Sequence, residues 1–225
     1  MKIGVLFPAY NEEKNIQGII KESKKYFKNS IIVVVDDGST DKTAKIAKNS
    51  GAIVIKHTKN KGKGEAIKTG LKYFLKKPIK FIIIADADRQ YSIKDSKKIL
   101  KGLNSADFVM GYRNFSKIPF RHKLGNIVWR NTFNLLFGVN LKDTNCGLIG
   151  ISKDIIDKIE IGGGYIIENC MLASIIENKI KFAQVPVSVT YKKKSGIKRG
   201  VKIVWGVLYF IITRGINHKI KKIFR

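Results

Sequence analysis

Ile82-Ile83-Ile84-Ala85 runs without a polar side chain into Asp86-Ala87-Asp88, and this junction limits the fold more than any other stretch. A short apolar run bounded by turn residues reads as a strand buried on both faces, the kind found in parallel sheets covered by helices. Alternate strand residues share a face, so Asp86 and Asp88 can point the same way where the strand emerges. Open α/β sheets bind ligands outside the carboxyl ends of their strands. Two carboxylates there offer the oxygen-only donors that Mg²⁺ or Mn²⁺ takes while keeping water or substrate phosphate. The same pair also reads as a solvated acidic turn, since D-x-D alone is common.

The rest of the first half repeats the theme. Apolar runs at Ile3–Phe7, Ile31–Val35, Ala52–Ile55, Phe81–Ala85 and Asp107–Gly111 read as strands. Between them, helical spacing is expected from Asn11-Glu12-Glu13 through Ile16, Ile19 and Ile20, then over Lys42–Asn49, Glu65–Leu75 and Ile93–Leu103. Such alternation predicts a mostly parallel central sheet flanked by helices, an α/β fold. Polar clusters at Pro8–Glu12, Asp36–Asp41 and Asp86–Gln90 end three of the strands, the pattern of a nucleotide site along one sheet edge. Asp36 and Asp37 also read as helix-capping acids. The glycine loop Asn60–Gly64 is neither G-x-G-x-x-G, since Ile67 stands where the third glycine belongs, nor a Walker A loop.

After Gly111 the alternation breaks down. Leu124, Ile127, Val128, Leu135 and Leu136, with Trp129, Phe133 and Phe137, predict a helix that packs on the core or lies in a membrane interface. Asp143–Gly147 reads as a turn, Leu148–Ile151 as a strand, Tyr165–Ile176 as a helix carrying Glu168, and Phe182–Val189 as a strand. Pro186 places that last strand at a sheet edge.

The chain has 225 residues and a formal net charge of +27, which attracts polyanions: nucleic acid, anionic lipid or phosphorylated substrates. No nucleic-acid fingerprint accompanies the charge, so no nucleic-acid partner is expected. Cys146 and Cys170 lack metal-ligand spacing and read as reduced thiols of a cytosolic protein. No apolar run reaches the roughly 18–20 residues of a membrane span. Past Glu177 there is no acid. Lys192-Lys193-Lys194 and Lys198-Arg199 precede an aromatic stretch around Trp205, Tyr209 and Phe210, and Lys219, Lys221, Lys222 and Arg225 follow it. Residues 1–191 are expected to form the main α/β domain, and residues 192–225 a basic amphipathic helical segment on an anionic membrane face. Docking of that helix on the domain is the plainer alternative.

In order and spacing, Pro8-Ala9-Tyr10-Asn11-Glu12, Val35-Asp36-Asp37-Gly38-Ser39-Thr40-Asp41, Asn60-Lys61-Gly62-Lys63-Gly64, Asp86-Ala87-Asp88 with Gln90, Tyr112-Arg113, Asp143-Thr144-Asn145-Cys146-Gly147, and Glu168 with Val185-Pro186-Val187 resemble the family 2 glycosyltransferases of GT-A fold. Among these the chain is most similar to the polyprenyl-phosphate (dolichyl-phosphate) sugar synthases. The resemblance implies that Pro8, Tyr10, Glu12, Asp36, Asp37, Lys63 and Asp86 bind the nucleotide-sugar, and that Asp86, Asp88 and Gln90 hold Mg²⁺ or Mn²⁺. It implies that Arg113 and Arg121, with Arg130 a further candidate, grip the acceptor phosphate, and that Glu168 is the remaining candidate base. The implied reaction is inverting hexose transfer from a GDP-mannose or UDP-glucose type donor to polyprenyl phosphate, by a peripheral protein on the cytoplasmic membrane face. Relatives often carry Glu-x-Glu where this chain has Glu168-Asn169-Cys170. A phosphate acceptor tolerates that loss, because its second pKa near ~6 leaves it largely dianionic at neutral pH. Transfer to a saccharide or glycerolipid hydroxyl, with Glu168 as base, stays open. So do a weakened relative that only binds donor, and a nucleic-acid-binding protein.

Overall fold

The computed structural model describes residues 2–114, 120–190 and 197–224. Strand and helix alternate through the first half: β1 (Ile3–Ala9), α1 (Ile16–Tyr26), β2 (Ser30–Asp36), α2 (Thr43–Asn49), β3 (Ile53–Lys56), α3 (Lys63–Leu75) and β4 (Phe81–Ile84). A 3₁₀ turn at Ile93–Asp95 leads into α4 (Ser96–Gly102), followed by β5 (Phe108–Arg113) and α5 (Phe120–Phe137). The second half adds β6 (Ile149–Ser152), a 3₁₀ segment at Lys153–Lys158, α6 (Ile167–Glu177), β7 (Phe182–Val187) and α7 (Ile197–Ile223).

Seven strands form one sheet in the order β3-β2-β1-β4-β6-β5-β7. All pairings are parallel except those of β6 with β4 and with β5. The carboxyl ends of β1, β2, β3, β4 and β5 and the entry to β6 therefore share one edge. Chain order reverses at β1, with β2 and β3 on one side and β4 on the other, and such a switch point opens a crevice for ligand. β1 and β4 are buried throughout, and Leu6, Phe7, Phe74, Ile82 and Ile83 are among the largest fully enclosed side chains. At ~1.5–3 kcal/mol for each such side chain, this central layer is the rigid base beneath the crevice. β7 is an edge strand, so Pro186 leaves no ladder bond unmade.

Several boundaries differ from expectation. The first helix begins at Ile16, not at Asn11. Asn11 adopts φ 54, outside the helical region, and ties two loops together instead. Its backbone N–H donates to Ser39 Oγ (2.9 Å) and its Oδ1 accepts from the Thr40 N–H (2.9 Å). Glu12 N–H donates to Thr43 Oγ1 at 2.8 Å in the same seam. α3 begins at Lys63 rather than Glu65, which puts Lys63 in its first turn.

α5 and α7 pack together, with Trp129 Nε1 donating to Val204 O (3.1 Å) and Phe137 stacked on His218 at 5.2 Å between ring centres. Arg214 joins α7 to α6 through Glu177, with N–O distances of 3.0 and 2.8 Å. Val207 and Ile211 are buried in this seam, whereas Trp205, Tyr209, Ile216, Ile220 and Ile223 are exposed. The helix thus docks on the domain with one face and leaves a second apolar face uncovered. Among the described residues, no helix is long and apolar enough to cross a membrane.

Candidate active site

Each strand of the switch point delivers one piece of a cavity of about 430 Å³. β1 runs into Pro8 and Tyr10, β2 into Asp37, and β4 into Asp86 and Asp88. Lys63, from the first turn of α3, and Glu12 complete the expected set along its wall. Pro8, Tyr10, Glu12, Asp37, Lys63, Asp86 and Asp88 are therefore gathered around one space.

Lys63 is its electrostatic centre. The ammonium lies 2.7 Å from Asp86 Oδ1 and 2.9 Å from Glu168 Oε1, which arrives from the first turn of α6. Burial works against the Lys63 charge, but the two carboxylates outweigh it and hold its pKa above the ordinary lysine value. Burial raises the Asp86 carboxyl above its ordinary range, Lys63 pulls it down, and Glu168 and Asp88 push it up again. The net direction is upward even with the Lys63 ammonium beside it. Two close approaches enforce this packing. A Cβ on Gly64 would lie 2.1 Å from the Gly162 carbonyl oxygen, and one on Gly147 would lie 2.2 Å from Asp86 Oδ2. Gly147 N–H donates to Tyr91 Oη at 3.1 Å, fixing the entry to β6 beneath Asp86.

Asp36 and Asp37 have separate tasks. Asp37 Oδ1 accepts from the Lys61 N–H (3.0 Å) and Oδ2 from the Gly62 N–H (2.7 Å), so this carboxylate shapes the glycine loop. His57 Nδ1 sits 2.6 Å from Asp37 Oδ1, and its Nε2 lies 2.9 Å from Thr69 Oγ1. Asp36, expected beside the nucleotide, lies beneath the cavity and does not line it. It is the last residue of β2, fully buried, with Oδ1 accepting from the Ser39 N–H (3.1 Å) and no partner for Oδ2 among the described residues. Gln90, expected among the metal ligands, lies against Asp88. Its backbone N–H and its Nε2 donate to Asp88 Oδ1 and Oδ2 at 3.0 and 2.7 Å, so it orients Asp88 and does not line the cavity. The turn that brings it back passes through Arg89 at φ 60, an uncommon conformation for a residue with a side chain.

Asp86 and Asp88 fit a hard divalent cation in donor type and in access to the cavity, and the ammonium on Asp86 marks a place where positive charge is accepted. Among the described residues no group of three His, Cys, Asp or Glu side chains forms a metal cage.

Arg113 is committed elsewhere. Its Nε and Nη2 donate to Asp143 Oδ2 and Oδ1 at 2.7 and 2.9 Å, and Nη2 also donates to Asn126 Oδ1 at 3.2 Å. Burial opposes the guanidinium charge, and the bonds to Asp143 restore it and raise its pKa. Its charge is already matched by Asp143, and burial made that match necessary. Arg113 does line a second cavity, of about 580 Å³, together with Arg130 and Lys142. The side chain of Arg121 lies outside the described residues. Cys170, where relatives often have an acid, turns away from Lys63 toward Arg214 (3.6 Å) and Glu160 (3.5 Å).

A sequence profile described as glycosyl transferase family 2 matches residues 4–159. The chain belongs to that family. An uncharacterised protein of Methanocaldococcus jannaschii is 36% identical over 96% of this glycosyltransferase and 93% of its own length. The UDP-N-acetylglucosamine–dolichyl-phosphate N-acetylglucosaminyltransferase of Methanococcus voltae is 32% identical, over 92% and 93% of the two chains. In fold, the glycosyltransferase is similar to the crystal structure of glucosyl-3-phosphoglycerate synthase from Mycobacterium tuberculosis in complex with Mn²⁺, UDP and phosphoglyceric acid. That match has a TM-score of 0.79 at 19% identity and covers 95% of this chain and 78% of the other. The fold of this family 2 glycosyltransferase is GT-A, with the mostly parallel sheet expected of it.

His57, Tyr91 and the pairing role of Asp143 escaped the sequence reading. His57 carried one usable signal: it follows β3 directly and so lies at the sheet edge that holds the site.

Proposed function

We propose that this glycosyltransferase moves a hexose from a nucleoside-diphospho-sugar to a polyprenyl (dolichyl) phosphate at the cytoplasmic membrane face, with inversion at the anomeric carbon. The observation that carries the reading is the joining of Asp86, Asp88 and Lys63 in one cavity at the β1/β4 switch point, with Glu168 held against Lys63. The dolichyl-phosphate activity in the name of the Methanococcus voltae relative supports the acceptor class.

In this reading Pro8, Tyr10 and Glu12 bound the nucleoside end of the cavity. Asp37, braced by His57, holds the loop through Gly62 so that the backbone there can approach the diphosphate. Asp86 and Asp88 would hold Mg²⁺ or Mn²⁺, with Gln90 fixing the rotamer of Asp88. When bound, the ion supplies neutralisation of the charge that develops on the leaving diphosphate. An acceptor phosphate oxygen attacks the anomeric carbon as the bond to the diphosphate breaks, and no proton need be removed from a dianionic acceptor. Glu168 is paired with Lys63 at 2.9 Å, which favours a positioning role for it over that of a free base. Positioning and electrostatics supply the rate. Arg130 and Lys142, beside Arg113, are the described cations placed to draw in an anionic acceptor.

The exposed row Trp205, Tyr209, Ile216, Ile220 and Ile223, with Lys219, Lys221 and Lys222 nearby, suits a helix seated in an anionic lipid interface. Paired acceptors test the chemistry. Polyprenyl phosphate should accept labelled sugar and the matching polyprenol should not. Transfer to the alcohol at a similar rate would favour the hydroxyl-acceptor reading, with Glu168 as base.

A further inference from the structure

Lys63 occupies a position that disfavours a cation. It opens α3, and the N-terminus of a helix carries partial positive charge. Glu65, the acid in the first turn of α3, pairs with Lys68 at 2.7 Å, and the Lys63 ammonium is matched instead by Asp86 after β4 and Glu168 in α6, at 2.7 and 2.9 Å. Asp86 is also one of the two carboxylates assigned to a divalent ion. Mg²⁺ binds carboxylate oxygen at about 2.0–2.1 Å, and an ion that close to Asp86 would compete with the ammonium for the same carboxylate.

We propose that Lys63 is a displaceable internal cation, standing in for the metal on Asp86 until donor arrives and then moving to the donor diphosphate. This rests on the nucleotide-sugar reading of the cavity. The exchange is geometrically open. The Lys63 side chain is one-third exposed, at 33%, and it lines the same cavity as Asp86, Asp88 and Gly62. Metal arriving alone has to evict the ammonium from Asp86 and leave it with Glu168 only. Metal arriving with a diphosphate gives the ammonium a new anionic partner. Lys63 thereby makes metal and nucleotide binding mutually reinforcing, and it keeps Asp86, Asp88 and Glu168 from repelling one another in the empty site.

Free Mn²⁺ followed by electron paramagnetic resonance during titration tests this, with unaltered protein and Lys63→Met, each with and without UDP or GDP. The unaltered protein should bind Mn²⁺ at least about tenfold more tightly with nucleotide present, a coupling of ordinary size for linked sites. Lys63→Met should bind Mn²⁺ alone about tenfold more tightly than the unaltered protein, with most of the coupling lost. Unchanged affinity for Mn²⁺ alone in a Lys63→Met protein with native circular dichroism would overturn the proposal. Should that variant not fold, equal Mn²⁺ affinity with and without nucleotide in the unaltered protein overturns it just as well. Failure of the unaltered protein to bind Mn²⁺ under any condition would remove the metal assignment itself, an outcome distinct from failure of the exchange.

Discussion

Asp143 does for Arg113 what Asp86 and Glu168 do for Lys63: it lets a cation exist where burial would otherwise forbid it. The consequences of removing each acid differ with exposure. Arg113 and Asp143 side chains are only 10% and 1% exposed, so Asp143→Asn strands a buried guanidinium and is expected to cost about 3–5 kcal/mol, read from chemical denaturation. Asp88→Asn faces the cavity and should leave the denaturation midpoint nearly unchanged. It should lower kcat by about a hundredfold or more, as loss of an electrostatic stabiliser of the transition state does. Asp86 and Asp88 were legible in the sequence because an apolar strand ends abruptly in them. The division between Asp36 and Asp37 was not, since only the sheet register shows which of two adjacent acids is sealed in the core. Nor was the Arg113–Asp143 pair: its members stand 30 residues apart, and nothing local to either announces the other.

At the scale of elements, the strands were legible and the helix starts were not. Buried strands carry continuous apolar runs, so β1, β2 and β4 are visible in the sequence, with ends that differ from the expected ones by at most two residues. A helix start depends on hydrogen bonds to distant loops, and Asn11 resembled a cap while serving Ser39 and Thr40. The last helix docks on the domain with one face and leaves the other bare, so docking alone does not account for its exposed aromatic row. Ile211, fully buried against the domain, should cost about 2–4 kcal/mol when changed to alanine. Tyr209, exposed at 72%, should change stability by no more than about 0.5 kcal/mol. In vesicle sedimentation the order is expected to reverse, with Tyr209→Ala weakening attachment to anionic liposomes. Equal attachment of Tyr209→Ala and unaltered protein would count against the interfacial helix.

Over the whole molecule, one reversed strand and one switch in strand order bring the carboxyl ends of β1 to β5 and the entry to β6 to a single edge. The mostly parallel α/β sheet followed from strand–helix alternation, but β6 running antiparallel between β4 and β5 did not, since a four-residue strand carries no direction. With a net charge of +27, the proposed vesicle attachment should be salt-dependent, weakening as the Debye length shrinks from about 10 Å at 0.1 M to about 3 Å at 1 M. The two thiols set an alkaline limit on stability. Burial pushes Cys146 up to about 12 and Cys170 up to about 11, from an ordinary value near 9.0. Unfolded chains lose those protons first, so the stability these thiols contribute is complete below pH 9 and should drain away between about pH 9 and 12.

The reaction itself is tested most directly by following label from a panel of UDP- and GDP-sugars into the lipid phase, with polyprenyl phosphate as acceptor and with Mn²⁺ or chelator. Label should enter the lipid phase from one donor class, only with divalent metal, and not at all with Asp88→Asn. Metal-independent transfer, or donor turnover with no label in lipid, would contradict a metal-assisted polyprenyl-phosphate glycosyltransferase.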